Sequence, residues 1–95
     1  MARPQLRDQT SVQPVFGGQP RTLYRVERQQ DVWFIRFDGA GYGPYKSERE
    51  ALLFAVDAAK KLGEQGDETQ VLVMDETGDV RPAWTFGQDP YPPRL

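Results

Sequence analysis

Val32-Trp33-Phe34-Ile35-Arg36-Phe37-Asp38 is the stretch on which the fold turns. It is dense in aromatic and β-branched side chains, the residues that fit a pleated, half-buried surface. Side chains alternate across a strand, so Trp33, Ile35 and Phe37 share one wholly apolar face. Val32, Phe34, Arg36 and Asp38 share the other. The first set is the predicted core face. Immediately upstream, Leu23-Tyr24-Arg25-Val26-Glu27-Arg28 alternates in the same way, with Tyr24 and Val26 on one side. Gln29-Gln30-Asp31 between the two runs reads as a polar turn, so the pair predicts a hairpin. Downstream, Gly39-Ala40-Gly41-Tyr42-Gly43-Pro44 must bend the chain, and a short third strand is expected over residues 42–46.

The period then changes from two to about 3.6. Ser47-Glu48-Arg49-Glu50 has the form of a capping box, in which the Ser47 hydroxyl accepts from the N–H of Glu50 and the Glu50 carboxylate reaches back to the N–H of Ser47. Glu48 and Glu50 suit the positive end of the helix dipole, and Lys60 and Lys61 the negative end. Ala51, Leu52, Ala55, Val56, Ala58, Ala59 and Leu62 form a broad apolar stripe at helical spacing, and its many alanines imply a close approach to a sheet. The helix is predicted over residues 47–62, with Gly63 as the residue that terminates it.

After an acidic loop over residues 64–68, Thr69-Gln70-Val71-Leu72-Val73-Met74 reads as a strand apolar on both faces. Asp75-Glu76-Thr77-Gly78-Asp79 reads as a hairpin turn, and Val80-Arg81-Pro82-Ala83-Trp84-Thr85-Phe86 as the returning strand. Pro82 cannot donate to a ladder, which marks that strand as an edge or a bulged one. The expected architecture is α+β, in the order β-β-β-α-β-β, with one helix packed on a single antiparallel sheet. A flexible N-terminal arm is expected over residues 1–22, where Val12, Val15 and Phe16 are the notable apolar residues. The single domain is expected over 23–87, and a Pro-rich, polyproline-like tail over 88–95.

One helix covers one face of a sheet. Phe34 and one apolar face of the 70–74 strand therefore need another cover, either the arm near Phe16 or a second copy of the chain. The expectation is a homodimer.

Composition narrows the function. The chain has 95 residues, 27% charged and 38% hydrophobic, with a net charge of −2, as in an ordinary globular domain. No apolar run approaches the ~20 residues of a membrane span. Met1 to Asp8 has no apolar stretch behind its basic residues, so no signal peptide is expected and the cytoplasm is the expected location. There is no Cys and no His. Disulfides, thiolate nucleophiles, cysteine zinc sites, Ser-His-Asp triads and histidine metal sites are all excluded. The expectation is a non-catalytic protein with no cofactor and no metal.

Over residues 24–87 the chain resembles a family of short bacterial proteins designated domain of unknown function 2188. The resemblance rests on Tyr24 and Val26, on Trp33, Ile35 and Arg36, and on Tyr45 before a helix that opens with Ser47 and Glu50-Ala51. It continues through Lys60-Lys61-Leu62-Gly63, the Gly78 turn and the closing Phe86-Gly87. It implies a short cytoplasmic protein and assigns no activity. The first half also resembles the three-strands-then-helix DNA-reading domains of plant transcription factors and of integrase arms. That resemblance implies an outer sheet face laid in the major groove.

Charge is unevenly spread in a way that bears on that second likeness. Through Arg49 there are eight Lys/Arg against five Asp/Glu, and beyond it four against nine. Arg25, Phe34, Arg36, Lys46 and Arg49 make up the candidate nucleic-acid or partner face. Glu27, Asp38 and Glu48 are interleaved with them, and a solvated face with cross-strand ion pairs is the plainer reading. The leading expectation is a small interaction module with an unknown protein partner or a second copy of itself. Nucleic-acid binding through the basic outer face is the alternative.

Other motifs are weaker. Gly39 to Gly43 lacks the strand-to-helix context of a dinucleotide fingerprint and reads as a hairpin loop. Asp75, Glu76 and Asp79 lack EF-hand spacing and read as a turn. Trp33 and Trp84 read as core before they read as a ligand platform, and Pro90-Tyr91-Pro92-Pro93 as a chain end before a polyproline ligand.

Overall fold

A computed structural model describes residues 22–95; the expected arm, with Val12, Val15 and Phe16, lies outside the described residues. The strands are β1 Thr22–Gln29, β2 Val32–Phe37, β3 Ala40–Tyr45, β4 Thr69–Met74 and β5 Val80–Thr85, and the helix is α1 Glu48–Glu64. The α+β class and the order of elements are as expected.

The sheet is mixed, which corrects the expectation of a purely antiparallel one. Its order is β3-β2-β1-β4-β5, and β1 pairs with β4 in parallel, Tyr24 opposite Val71 and Val26 opposite Val73. The other three pairings are antiparallel. Direction explains the parallel pair. The first two hairpins leave β1 and β3 pointing the same way at the two edges of a three-stranded sheet. A helix that runs once along the sheet returns the chain in that same direction, so β4 is parallel to either edge it joins. It joins β1, which offers Tyr24 and Val26 for burial, whereas β3 offers Gly41, Gly43 and Pro44. Pro44 and Pro82 thereby both fall on edge strands, and a register shift interrupts the pairing beside each of them.

The core lies between α1 and the face carrying Tyr24, Val26, Ile35, Val71, Val73 and Trp84, all buried. Ala51, Ala55 and Ala59 are fully buried beneath the helix, so their small side chains set its close approach. Tyr24 stacks on Phe37 with ring centroids 4.4 Å apart. Trp33 is half-buried at the margin of this core, and Trp84 is within it.

Both ends of the helix differ in detail from the expected pattern. Ser47 Oγ accepts from the Glu50 N–H at 3.0 Å, as expected, but the Glu50 carboxylate accepts from the N–H of Lys46, at 2.7 Å, one residue earlier than expected. Gly63 does not end the helix. The helix continues to Glu64, and Gly66 takes the positive φ of +108° beyond it. Gly63 is buried inside the helix because the Phe86 ring lies on it. A Cβ there would fall 2.4 Å from Phe86 Cγ.

The Pro-rich tail returns along the helix. Trp84 Nε1 donates to the Pro90 carbonyl at 2.8 Å, the Tyr91 hydroxyl donates to Asp57 at 3.1 Å, and Lys60 sits 4.7 Å from the centre of the Tyr91 ring. Arg49 donates to the Leu95 carbonyl at 3.4 Å. The tail thus covers the β5 flank of α1. A helix about 10 Å across spans roughly two strands at about 4.8 Å spacing, so on the β3 flank, of the described residues, only Phe54 reaches over, stacked on Tyr45, and Tyr42 stays exposed.

Candidate functional site

The face of the sheet away from α1 is the candidate surface. Strand alternation and the register place Leu23, Arg25 and Glu27 of β1, Phe34 and Arg36 of β2, Gln70, Leu72 and Met74 of β4, and Val80 and Pro82 of β5 on it. Leu23 and Val80 are each 44% exposed, and Phe34, Leu72 and Met74 are half-buried. The face is about 20 Å on a side, given five strands about 4.8 Å apart and about 3.3 Å per residue. That is a footprint on the order of 400 Å², shared between apolar side chains and the Arg25, Glu27, Arg36 and Gln70 side chains.

Arg25 and Arg36 face each other directly across β1 and β2, a like-charge pairing that is unfavourable on its own. Glu27 resolves it. Its carboxylate accepts from Arg25 Nε at 3.0 Å, from Arg36 Nε at 3.4 Å and from the Gln29 side-chain amide at 3.4 Å. Partial burial alone would raise the Glu27 pKa. The hydrogen bonds from Arg25, Gln29 and Arg36, with the charge of Arg25, outweigh burial and hold the carboxyl below its ordinary range. The Arg36 guanidinium then extends over β3 at Gly41, where a Cβ would meet Nη1 at 2.9 Å.

Of the five residues expected on this face, Arg25, Phe34 and Arg36 are brought together. Arg49 is not. It lies in the first turn of α1 and reaches the chain end on the opposite side of the sheet. Lys46 lies at the passage from β3 to α1, where its N–H is held by Glu50. The sequence reading understated the apolar share of the face. Leu23, Leu72 and Met74 surround the ion-paired arginines, and Val80 and Pro82 extend the apolar ground across β5. The period-two pattern of β4 carried that signal, since its alternate residues Leu72 and Met74 had no second helix to meet.

The minor motifs take structural roles. Asp38-Gly39 forms the two-residue turn between β2 and β3. Asp75 Oδ1 accepts from the Thr77 N–H at 2.8 Å, the Thr77 hydroxyl at 2.6 Å and the Asp79 N–H at 3.0 Å. These bonds, the Thr77 hydroxyl first, hold its carboxyl below the ordinary range. Glu76 pairs with Arg28 at 3.1 Å. Asp75 is therefore committed to its own hairpin, and Glu76 ties that hairpin to β1. No helix among the described residues is long and apolar enough to cross a membrane.

Compared with known proteins, the chain matches no family model, no curated protein and no solved structure.

Proposed function

We propose that the chain is a small, non-catalytic cytoplasmic interaction module that works through the open face of its sheet, and that the partner is a second copy of itself. The observation that carries this reading is the apolar ground of Leu23, Phe34, Leu72 and Met74. It surrounds an Arg25–Glu27–Arg36 cluster whose like charges are reduced to a net +1 by Glu27, and α1 and the tail both lie on the other side. Burying such a face is favourable at about 25 cal/mol per Å² of apolar area. Two copies stacked face to face would interleave these side chains at about 10 Å separation, as the sheets of a sandwich do. Prolines on both edge strands disfavour the competing edge-to-edge association.

Sedimentation across a concentration series tests the reading. The expected result is a dimer at high micromolar concentration that becomes a monomer on Leu72→Lys, which replaces apolar area with a second positive charge beside Arg25. A wild-type monomer at high micromolar concentration, or a dimer indifferent to Leu72→Lys, defeats it. Nucleic-acid binding makes a different demand. It requires the remaining guanidinium donors of Arg25 and Arg36 to take phosphate beside Glu27, and would show as amide shifts over β1 and β2 that weaken as salt is raised.

A further inference from the structure

The β5 flank of α1 is a surface whose occupant the structure shows. A turn over residues 85–89, closed by the Asp89 carboxylate on the Thr85 N–H at 2.8 Å, sends the tail back along the helix. Beyond that turn the tail is held through side chains. Trp84 Nε1 donates to the Pro90 carbonyl, and the Trp84 ring lies edge-on to the Tyr91 ring with centroids 6.5 Å apart. The Tyr91 hydroxyl donates to Asp57, Lys60 sits against the same ring, and Arg49 reaches the main-chain oxygen of Leu95. From Lys60 back to Arg49 these contacts extend over about 16 Å of helix. Among the described residues, no backbone–backbone hydrogen bond involves residues 90–95.

This is the chemistry of peptide recognition and not of a closing strand. Pro90, Pro92 and Pro93 have no N–H, so the segment cannot join a ladder, while its carbonyls stay open as acceptors. Proline-rich segments dock on aromatic surfaces, and an indole N–H is the donor that such a surface offers to their carbonyls. Tyr91 supplies the selectivity. The bond to Asp57, the cation against the ring and the edge contact with Trp84 together require a ring that carries a hydroxyl. Asp57 is suited to its part, because hydrogen bonds from Lys61 and then Tyr91 hold its carboxyl below the ordinary range and keep it an ionised acceptor.

The occupant lies on the surface and not within it. Residues 87–92 and 94–95 are exposed, Tyr91 by 47%. Trp84 beneath them is 2% exposed. Departure of the tail would therefore open an indole donor, a carboxylate acceptor and an ammonium in one row. The tail is in effect a ligand on a short tether, at an effective concentration on the order of millimolar.

We propose that this flank is a binding site for peptide segments in which a tyrosine stands between prolines, and that the tail occupies it in cis as a competing ligand. Another chain that carries such a segment takes its place. Asp89-Pro90-Tyr91-Pro92-Pro93 is the template for that partner, which must present a carbonyl to Trp84 and a tyrosine hydroxyl to Asp57. The site is on the opposite side of the sheet from the self-association face, so each reading stands or fails alone.

The test uses the full chain and follows the indole N–H signal of Trp84 by NMR, with that of Trp33 as the control for an intact sheet. The probe is a synthetic peptide with the sequence of residues 87–95. Tyr91→Ala removes three of the contacts that hold the tail. The expected result is a displaced Trp84 signal that returns saturably to its wild-type position as peptide is added. The same peptide with alanine in place of its tyrosine should bind at least roughly fivefold more weakly, the equivalent of one hydrogen bond of about 1 kcal/mol. The wild-type chain should bind the probe about tenfold more weakly than Tyr91→Ala does, because its own tail must first leave. Tyr91→Phe, which keeps the ring in place, should fall between the two and serves as the variant if Tyr91→Ala does not fold. A displaced Trp84 signal that the peptide does not restore overturns the proposal. So does equal binding of the two peptides, or equal affinity of the wild-type and variant chains.

Discussion

Replacing Gly63 by Ala should destabilise this protein, against the ordinary rule for a helix interior. Gly63 does not have a positive φ, so alanine fits the backbone there, and an exposed Gly→Ala change within a helix gains about 0.8–1 kcal/mol. Here the added Cβ would lie 2.4, 2.5 and 2.6 Å from three atoms of the Phe86 ring. Carbon atoms pack at about 3.5–4.0 Å, so the ring must move by about 1 Å or more. It cannot do so freely, because Phe86 leans on Trp84 with centroids 6.2 Å apart, and Trp84 is held in turn by the Pro90 carbonyl. Overpacking of this kind costs about 1–3 kcal/mol, and the propensity gain offsets part of it. A net loss of up to about 2 kcal/mol is expected, which in a domain of 60–100 residues lowers Tm by up to about 16 °C. Urea unfolding followed by tryptophan fluorescence measures it. The partner experiment is Gly63→Ala in a Phe86→Ala background, where the obstruction is gone and the same change should stabilise by up to about 1 kcal/mol. If Gly63→Ala raises the urea midpoint in the wild-type background, or lowers it equally in both backgrounds, contact with Phe86 is not the reason for the glycine.

Two further outcomes follow from groups already described. Glu27 has a folded-state pKa below the ordinary 4.5, so its contribution to stability is complete above that value and is lost as pH falls through the lowered folded value. Glu27→Gln should therefore flatten the acid limb of a stability–pH profile below about pH 4.5, and a limb of unchanged slope refutes the Arg25–Glu27–Arg36 arrangement. Thr69, 1% exposed, donates from its hydroxyl to the Ala59 carbonyl at 2.8 Å and ties the start of β4 to α1. Thr69→Val should lower stability by about 1 kcal/mol with an unchanged denaturant m-value, as read from urea titration.

Local chemistry made most of the elements legible. The 32–38 stretch, the Ser47 cap and the alternation of β4 each encode one element through neighbours in sequence, and each is where it was expected. The parallel β1–β4 pair was also implicit, because a helix after two hairpins leaves no antiparallel edge to join, but that inference needs the direction of the whole chain and not the pattern of any one segment. Gly63 shows the opposite limit. A glycine at the end of an apolar stripe has two explanations, a helix stop and a close approach. Only the position of Phe86, 23 residues later, decides between them. The open sheet face was readable in part, since Arg25, Phe34 and Arg36 are at strand spacing. Arg49 was misplaced because helix and sheet were counted on one side of the molecule. The meeting of Tyr24, Tyr42, Phe54 and Lys61 around one groove beside the helix was not readable at all, as they converge only through the position of α1 over β1 and β4.

Pro44 and Pro82 give the molecule a terminus in the one direction in which β proteins grow without limit. A sheet that adds strands at its margins polymerises, and each addition regenerates the margin that invites the next. With a proline and a register shift on both outermost strands, that propagation has no template on either side. Edge-to-edge association of the folded domain is therefore expected to stop rather than propagate, so that any strand-mediated assembly of the native sheet stays finite.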